Sequence, residues 1–193
     1  MKNDILGNLS RSELLRLLEE NLGQDRFFHV LRVEEMALEL CNRHGADIIK
    51  CRTAALYHDL AKNFSLDQAM LVLDQYLYKP DPIEEGNMNL LHSKVAGLLA
   101  ENHYGVKDKE TIEAILFHTT GKPDMSTVSK IVFLADALER GRIYKSVEGY
   151  RDMANENLDS ALLEVLNGQI IYLIRKKSKI HPDAVQARNF LLS

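Results

Sequence analysis

Punctuation is scarce in this sequence. Four prolines and 10 glycines are spread over 193 residues, too few for a chain of many short strands and in keeping with long helices. No uninterrupted apolar run reaches membrane-spanning length. The opening "MKNDILGNLSRSELL" has neither the apolar stretch nor the small-residue cleavage site of a signal peptide, so a cytoplasmic protein without a membrane partner is expected. Two cysteines, Cys41 and Cys51, form no CxxC pair and are expected as reduced core or surface thiols. An excess of positive charge is also missing. The net charge of −4 argues against nucleic acid held by bulk electrostatics, and any anionic ligand needs local cations or metal. With no repeat, low-complexity segment or Gly/Pro/Ser-rich linker, residues 1–193 read as one domain.

What is present is helical spacing of apolar residues along nearly the whole chain, which predicts an all-α bundle. "SELLRLLEENLG" reads as a first helix closed by Gly23. Asp25 is the expected cap of a long second helix ending at Gly45. A third runs to Asn63, and "SLDQ" is a capping box that opens a fourth. "YKPDPIEEGNMN" loses all periodicity and is expected as the longest loop, near a site. Further helices are expected from "LLHSK" to Gly105, after Asp108, and after Ser126 to near Gly141. A long one is expected from about Asn155 to Lys177, and a short one from Pro182.

The seven histidines sort by context. His44 and His103 sit in the last turn before a helix-ending glycine, and His181 precedes Pro182; these are structural positions. The other four occur in "FFHVL", "LYHDL", "LLHSK" and "LFHTT", each after two bulky residues, and should face the interior. Asp59 follows His58, and Asp136 lies among apolar neighbours in "KIVFLADALE". Burying such carboxylates alone costs several kcal/mol, and a metal cation removes that penalty. Imidazole plus carboxylate suits divalent transition metals, Fe, Mn, Co, Ni or Zn. Lys62, three residues after Asp59, is placed to hold an anion beside the metal, or to pair with Asp59.

The ordered set His29, His58-Asp59, His92, His118, Asp136 resembles the HD-domain metal-dependent phosphohydrolases, and implies their helical-bundle fold. "RFFHVLRV", "ALYHDLAK", "LLHSKVAG", "AILFHTTG" and "MSTVSKIVFLAD" with "ERGR" narrow the resemblance to the YqeK-type symmetrical bis(5'-nucleosyl)-tetraphosphatases, over about Arg26 to Tyr144. The helices of 155–193 would then pack on that core. The resemblance implies two divalent ions, iron foremost, in a homodimer that cleaves diadenosine tetraphosphate centrally with a metal-activated water. The products would be ADP- or GDP-type nucleotides. It makes His29, His58, Asp59 and Asp136 ligands of one ion, and His92 and His118, with Asp59 bridging, ligands of the other. It makes Asp59 and Lys62 catalytic, and Arg26, Lys62, Thr120, Gly121 and Arg142 substrate contacts. One stretch departs from the family's Ile-Glu-Pro before the arginine. Here it is "ADALERGR", with Arg140 in place of the proline; this leaves room for a slightly longer helix and for a second arginine facing substrate, but Arg140 is not expected as a primary phosphate ligand, its alternatives being a solvent-facing side chain or a pair with Asp136.

Two other hydrolase or oxidase readings share parts of this pattern. One is an HD nucleotidase or phosphodiesterase on another nucleotide, which "HTTG" and Arg142 oppose. The other is a di-iron oxygenase; a ferritin-like site needs Glu-x-x-His pairs, and none of the four interior histidines has a Glu three residues before it. A binding module without activity would be expected to lack a ligand, and none of the six is missing. Because imidazoles must be neutral to hold metal, hydrolysis by the metal-loaded protein should fall below about pH 6, and a rate that is flat from about pH 5 to 8 would contradict the ligand set.

Overall fold

The computed structural model describes residues 5–193. A two-stranded antiparallel ribbon, β1 (Ile5–Leu6) and β2 (Leu9–Ser10), precedes ten helices among the described residues. These are α1 (Arg11–Asn21), α2 (Gln24–His44), α3 (Ile48–Tyr57), α4 (Leu66–Gln75) and α5 (Met88–Asn102). They continue as α6 (Lys109–Phe117), α7 (Thr127–Leu138), α8 (Val147–Glu156), α9 (Leu158–Arg175) and α10 (Pro182–Phe190).

Most starts are fixed by side-chain caps. Ser10, Asp47, Ser65, Asn87, Asp108, Ser126 and Asn157 each accept a bond from a backbone amide of the following turn. The expected all-α bundle is what forms, with α2, α3, α5, α6 and α7 packed on one another and α9 laid over α7 and α8. Tyr57 and Phe133 are fully buried between them.

Several boundaries differ from the sequence reading. The ribbon is too short to leave an alternating pattern; Gly7 turns it at φ +77°, and Asn8 N donates to Tyr104 O at 2.6 Å. Gly23 does not close α1. It is the N-cap of α2, with Asp25 inside the first turn. α3 stops at Tyr57, and residues 58–63 continue as tight turns joined by bonds such as Lys62 N to Asp59 O, 2.9 Å. The expected single helix over 155–177 is interrupted, because Asn157 is extended at φ −150°, ending α8 and capping α9.

α7 also ends sooner than expected. Glu139 leaves the helix at φ −52°, ψ 156°. The carbonyls this strands are met by side chains that follow in sequence. Arg142 Nε donates to Asp136 O (3.0 Å), Tyr144 Oη to Ala137 O (3.1 Å) and Arg151 Nε to Leu138 O (2.7 Å). Arg151 Nη2 also reaches Glu139 O (2.7 Å) and Arg142 O (3.1 Å). Arg151→Ala should therefore destabilise the protein by about 1–3 kcal/mol, and Tyr144→Phe, which loses one half-exposed bond, by under about 1 kcal/mol, in urea unfolding followed by circular dichroism.

Candidate metal centre

Four helix segments deliver the histidines. His29 is on α2, in its second turn; His58 and His118 are the residues that end α3 and α6; His92 is at the start of the second turn of α5. All four are buried, as is Asp59. Asp136, near the end of α7, keeps about a quarter of its side chain exposed, 24%. The six residues expected from sequence to hold metal converge. The triads His29–His58–Asp59, His58–His118–Asp136 and Asp59–His92–His118 each bring one ligand atom per residue within 4.8 Å of one another.

The proton positions follow from the partners. His58 Nδ1 donates to Ala55 O at 2.6 Å, His92 Nδ1 to Met88 O at 3.0 Å, and His118 Nδ1 to Ile115 O at 2.9 Å. A carbonyl oxygen only accepts, so each Nδ1 carries the hydrogen and each neutral ring presents a bare lone pair at Nε2. His29 Nδ1 donates instead to Glu139 Oε1, 3.2 Å away. The four Nε2 atoms face inward. Those of His29 and His58 are buried without a hydrogen-bond partner. His92 Nε2 and His118 Nε2 lie 3.1 Å apart.

Lone pairs also face anionic oxygens. His29 Nε2 is 3.1 Å from Asp136 Oδ1, and His92 Nε2 is 3.1 Å from Asp59 Oδ1. Such an arrangement repels itself unless protons or cations lie between, and the N/O donor set fits divalent transition ions. Asp59 divides the space. Its Oδ2 faces His58 (3.4 Å) and His29 (3.7 Å), while Oδ1 faces His92 and, at 3.9 Å, His118. Burial pushes the Asp59 carboxyl up, but His58, His92 and His118 outweigh it and hold the group well below its ordinary range. Burial, the largest influence on it, pushes His118 down to about 3, so that ring stays neutral.

The cations expected around the site are present. Arg26 Nη1 donates to Asp59 Oδ2 at 2.8 Å, and Arg142 Nη2 to Asp136 Oδ1 at 2.7 Å. Lys62 reaches the centre from a turn and not from a helix face. Its Nζ is 3.2 Å from His92 Nε2 and 3.8 Å from Asp59 Oδ1, and burial lowers its pKa. A cavity of about 570 Å³ opens beside them, lined by Arg26, His29, Arg32, Asn63, Glu139 and Arg142 together with the first residues of α2. Thr120 and Gly121 do not line it. Thr120 Oγ1 donates to Gly121 O, and a Cβ on Gly121 would meet Ala187 of α10 at 3.3 Å. Arg140 does not line this cavity; it pairs with Glu39 at 2.7 Å and is exposed to solvent, the solvent-facing alternative weighed for it.

Sequence reasoning missed Glu139 and Arg32. Glu139 is buried, 2% exposed. Its Oε2 accepts from Arg32 Nε at 2.5 Å and from Gly141 N, leaving Oε1 for His29. Burial pushes this carboxyl up, but the bonds from Arg32, Gly141 and His29 bring it below its ordinary range. The signal available was spacing alone: Arg32 lies three residues after His29, and Glu139 three after Asp136.

The aperiodic loop over residues 78–89 builds a different cluster. Tyr78 Oη donates to Glu84, and His181 Nε2 to Asp81 Oδ2 at 2.8 Å. His181 Nδ1 accepts from Asp183 N at 3.2 Å and so caps α10, a structural position as expected. Both ring nitrogens are engaged and the Lys94 ammonium lies 3.6 Å from Glu84, so this group forms a polar knot whose imidazole has no lone pair free.

Comparison with known proteins agrees with this geometry. The HD domain family model matches residues 26–141. The chain is 34% identical over 184 residues to the symmetrical bis(5'-nucleosyl)-tetraphosphatase of Halalkalibacterium halodurans, covering 95% of this chain and 98% of that one. The protein of the same name in Bacillus subtilis is 31% identical over 185 residues, with 96% and 99% covered. A crystal structure described as a predicted HD superfamily hydrolase involved in NAD metabolism, from Clostridium acetobutylicum, matches with a TM-score of 0.92 at 34% identity, covering 96% of this chain and 98% of that one.

The split carboxylate yields a stoichiometric expectation. Asp59→Asn should abolish tight metal uptake altogether, whereas His92→Ala should remove only part of it, as read by elemental analysis after desalting metal-loaded protein. Equal retention in the two variants would show that Asp59 does not join the two ends of the centre.

Proposed function

Because the chain belongs to the HD-domain family, we propose that it is a metal-dependent phosphoric anhydride hydrolase that cleaves dinucleoside tetraphosphates symmetrically, diadenosine tetraphosphate to two ADP. The observation that carries this reading is the convergence of four unprotonated Nε2 atoms on one divided carboxylate, beside a cavity walled by guanidinium groups. The relatives named symmetrical bis(5'-nucleosyl)-tetraphosphatase, matched along nearly their whole length, support the choice of substrate.

His29, His58, Asp59 and Asp136 would hold one divalent ion, and His92, His118 and the other oxygen of Asp59 a second. Such ions supply an acidified water and Lewis-acid stabilisation of phosphoryl oxygens. The chain's own part is binding and orientation. Arg26 and Arg142 stand at the cavity wall, where planar guanidiniums can grip two phosphate oxygens at once. The Lys62 ammonium, between His92 and Asp59, is placed to meet charge that develops on the phosphoryl group. No covalent nucleophile is needed, and the two cysteines are buried away from the cavity. The same reading takes residues 1–193 as one HD domain, iron as the resident metal, a homodimer as the assembly and the cytoplasm as the location, all following from the family resemblance.

Anion-exchange analysis of the products tests it. Protein loaded anaerobically with ferrous iron and given diadenosine tetraphosphate should release ADP alone. ATP with AMP would place the scissile bond off centre. No product from protein that has bound metal would favour a different nucleotide substrate.

A further inference from the structure

Glu139 distinguishes one histidine from the other three. His58, His92 and His118 each give their Nδ1 hydrogen to a backbone carbonyl three or four residues earlier. His29 gives its hydrogen to a carboxylate. That carboxylate is clamped: Arg32 and the Gly141 amide occupy its other oxygen, and Arg151 holds the Glu139 carbonyl at 2.7 Å. A carboxylate acceptor makes an imidazole more basic and fixes its tautomer more firmly than a carbonyl does.

The opposite end of the centre differs in what touches the ligand nitrogen itself. His92 Nε2 has no carboxylate behind its ring; its Nδ1 meets a carbonyl, and the Lys62 ammonium lies 3.2 Å from the ligand atom itself. A cation entering there must displace Lys62 or bind against its charge. At the His29 end two carboxylates, Asp136 at 3.1 Å and Asp59 at 3.7 Å, face the ligand atom, and Glu139 lies behind the ring at 3.2 Å; Arg142 and Arg26 donate to those two carboxylates at 2.7 and 2.8 Å, and neither donates to the ligand nitrogen.

We propose that the two ends of the centre are inequivalent, with the His29 end the tighter, and that Glu139 is the positioning residue that makes it so by holding the Nδ1–H tautomer of His29. This rests on the reading of the cluster as a metal centre, and adds an order of filling: the His29 end first, the His92 end second and with Lys62 as its built-in competitor.

The test is titration of full-length, chelator-treated protein with cobalt(II), followed by visible absorption and calorimetry. The wild type should fill in two steps. Glu139→Gln, whose single amide oxygen cannot accept from Arg32, Gly141 and His29 together and which carries no charge, should weaken the first step by roughly 10-fold, and Glu139→Ala by more, towards 100-fold. Lys62→Met should strengthen the second step. A second readout needs no metal: long-range nitrogen NMR of the metal-free protein should show His29 as the Nδ1–H tautomer, lost in Glu139→Ala while His58, His92 and His118 keep theirs. Should Glu139→Ala fail to fold, Glu139→Gln carries both measurements. Two equal steps in the wild type, a first step indifferent to Glu139→Gln, or an unchanged His29 tautomer in the alanine variant would each overturn the proposal. A wild type that binds no cobalt at all would instead overturn the metal-centre reading beneath it.

Discussion

The constraint on which the rest of this molecule depends is the packing of bare imidazole nitrogens against buried carboxylate oxygens. No protein group can relieve it completely. Each ring is already turned by its Nδ1 hydrogen bond so that Nε2 faces its neighbours. Neutral lone pairs at 3.1 Å from one another and from Asp59 attract only something positive. The fold therefore holds a ligand set in readiness, at a cost in its own stability that a bound cation offsets.

Helix ends are how the chain builds this. His58, His118 and Glu139 are the residues that cap α3, α6 and α7, so three helix C-termini, each carrying partial negative charge, point towards one place. The same ends supply carbonyls not yet used by the helix, and His58 and His118 take theirs from Ala55 and Ile115. His29 lies inside a helix of 21 residues and takes its Nδ1 partner from another part of the chain, the Glu139 carboxylate. The N-terminal end of that same helix lines the cavity. Negative helix ends surround the place for cations, and a positive end borders the place for phosphates.

The sequence made much of this legible because the residues concerned are out of place by type. A histidine after two bulky residues, or a carboxylate inside "FLADAL", violates the apolar pattern, and the violation marks the ligands. The helices were legible for the opposite reason, since their periodicity and their Ser, Asp and Asn caps agree. What could not be read were features of three-dimensional approach. Nothing in "LAKN" says that the chain leaves the α-helix at Tyr57 and brings Lys62 in from a turn. Thr120 and Gly121 follow His118 closely in sequence, yet neither lines the cavity; Thr120 is buried and Gly121 sits beside Ala187 of α10. Arg140 and Arg142 look interchangeable on paper; one faces Glu39 and solvent, the other Asp136.

The departure at "ADALERGR" is instructive on this last point. A proline replaced by arginine beside a substrate-facing arginine raises the question of whether substrate contacts change. In the structure the backbone leaves the helix at Glu139 in any case, because Arg142, Tyr144 and Arg151 take up the stranded carbonyls. The side chain at 140 then points outward, and its identity is free to vary without touching the centre. The next residue is not free. A Cβ on Gly141 would stand 2.7 Å from Arg32 Nε and 2.9 Å from Glu139 Oε2, inside the clamp that aims Glu139 at His29. What this short stretch must preserve is therefore a carboxylate at 139 and an absence of side chain at 141. Both requirements come from the hydrogen bond to one imidazole, and neither comes from the helix or from the substrate.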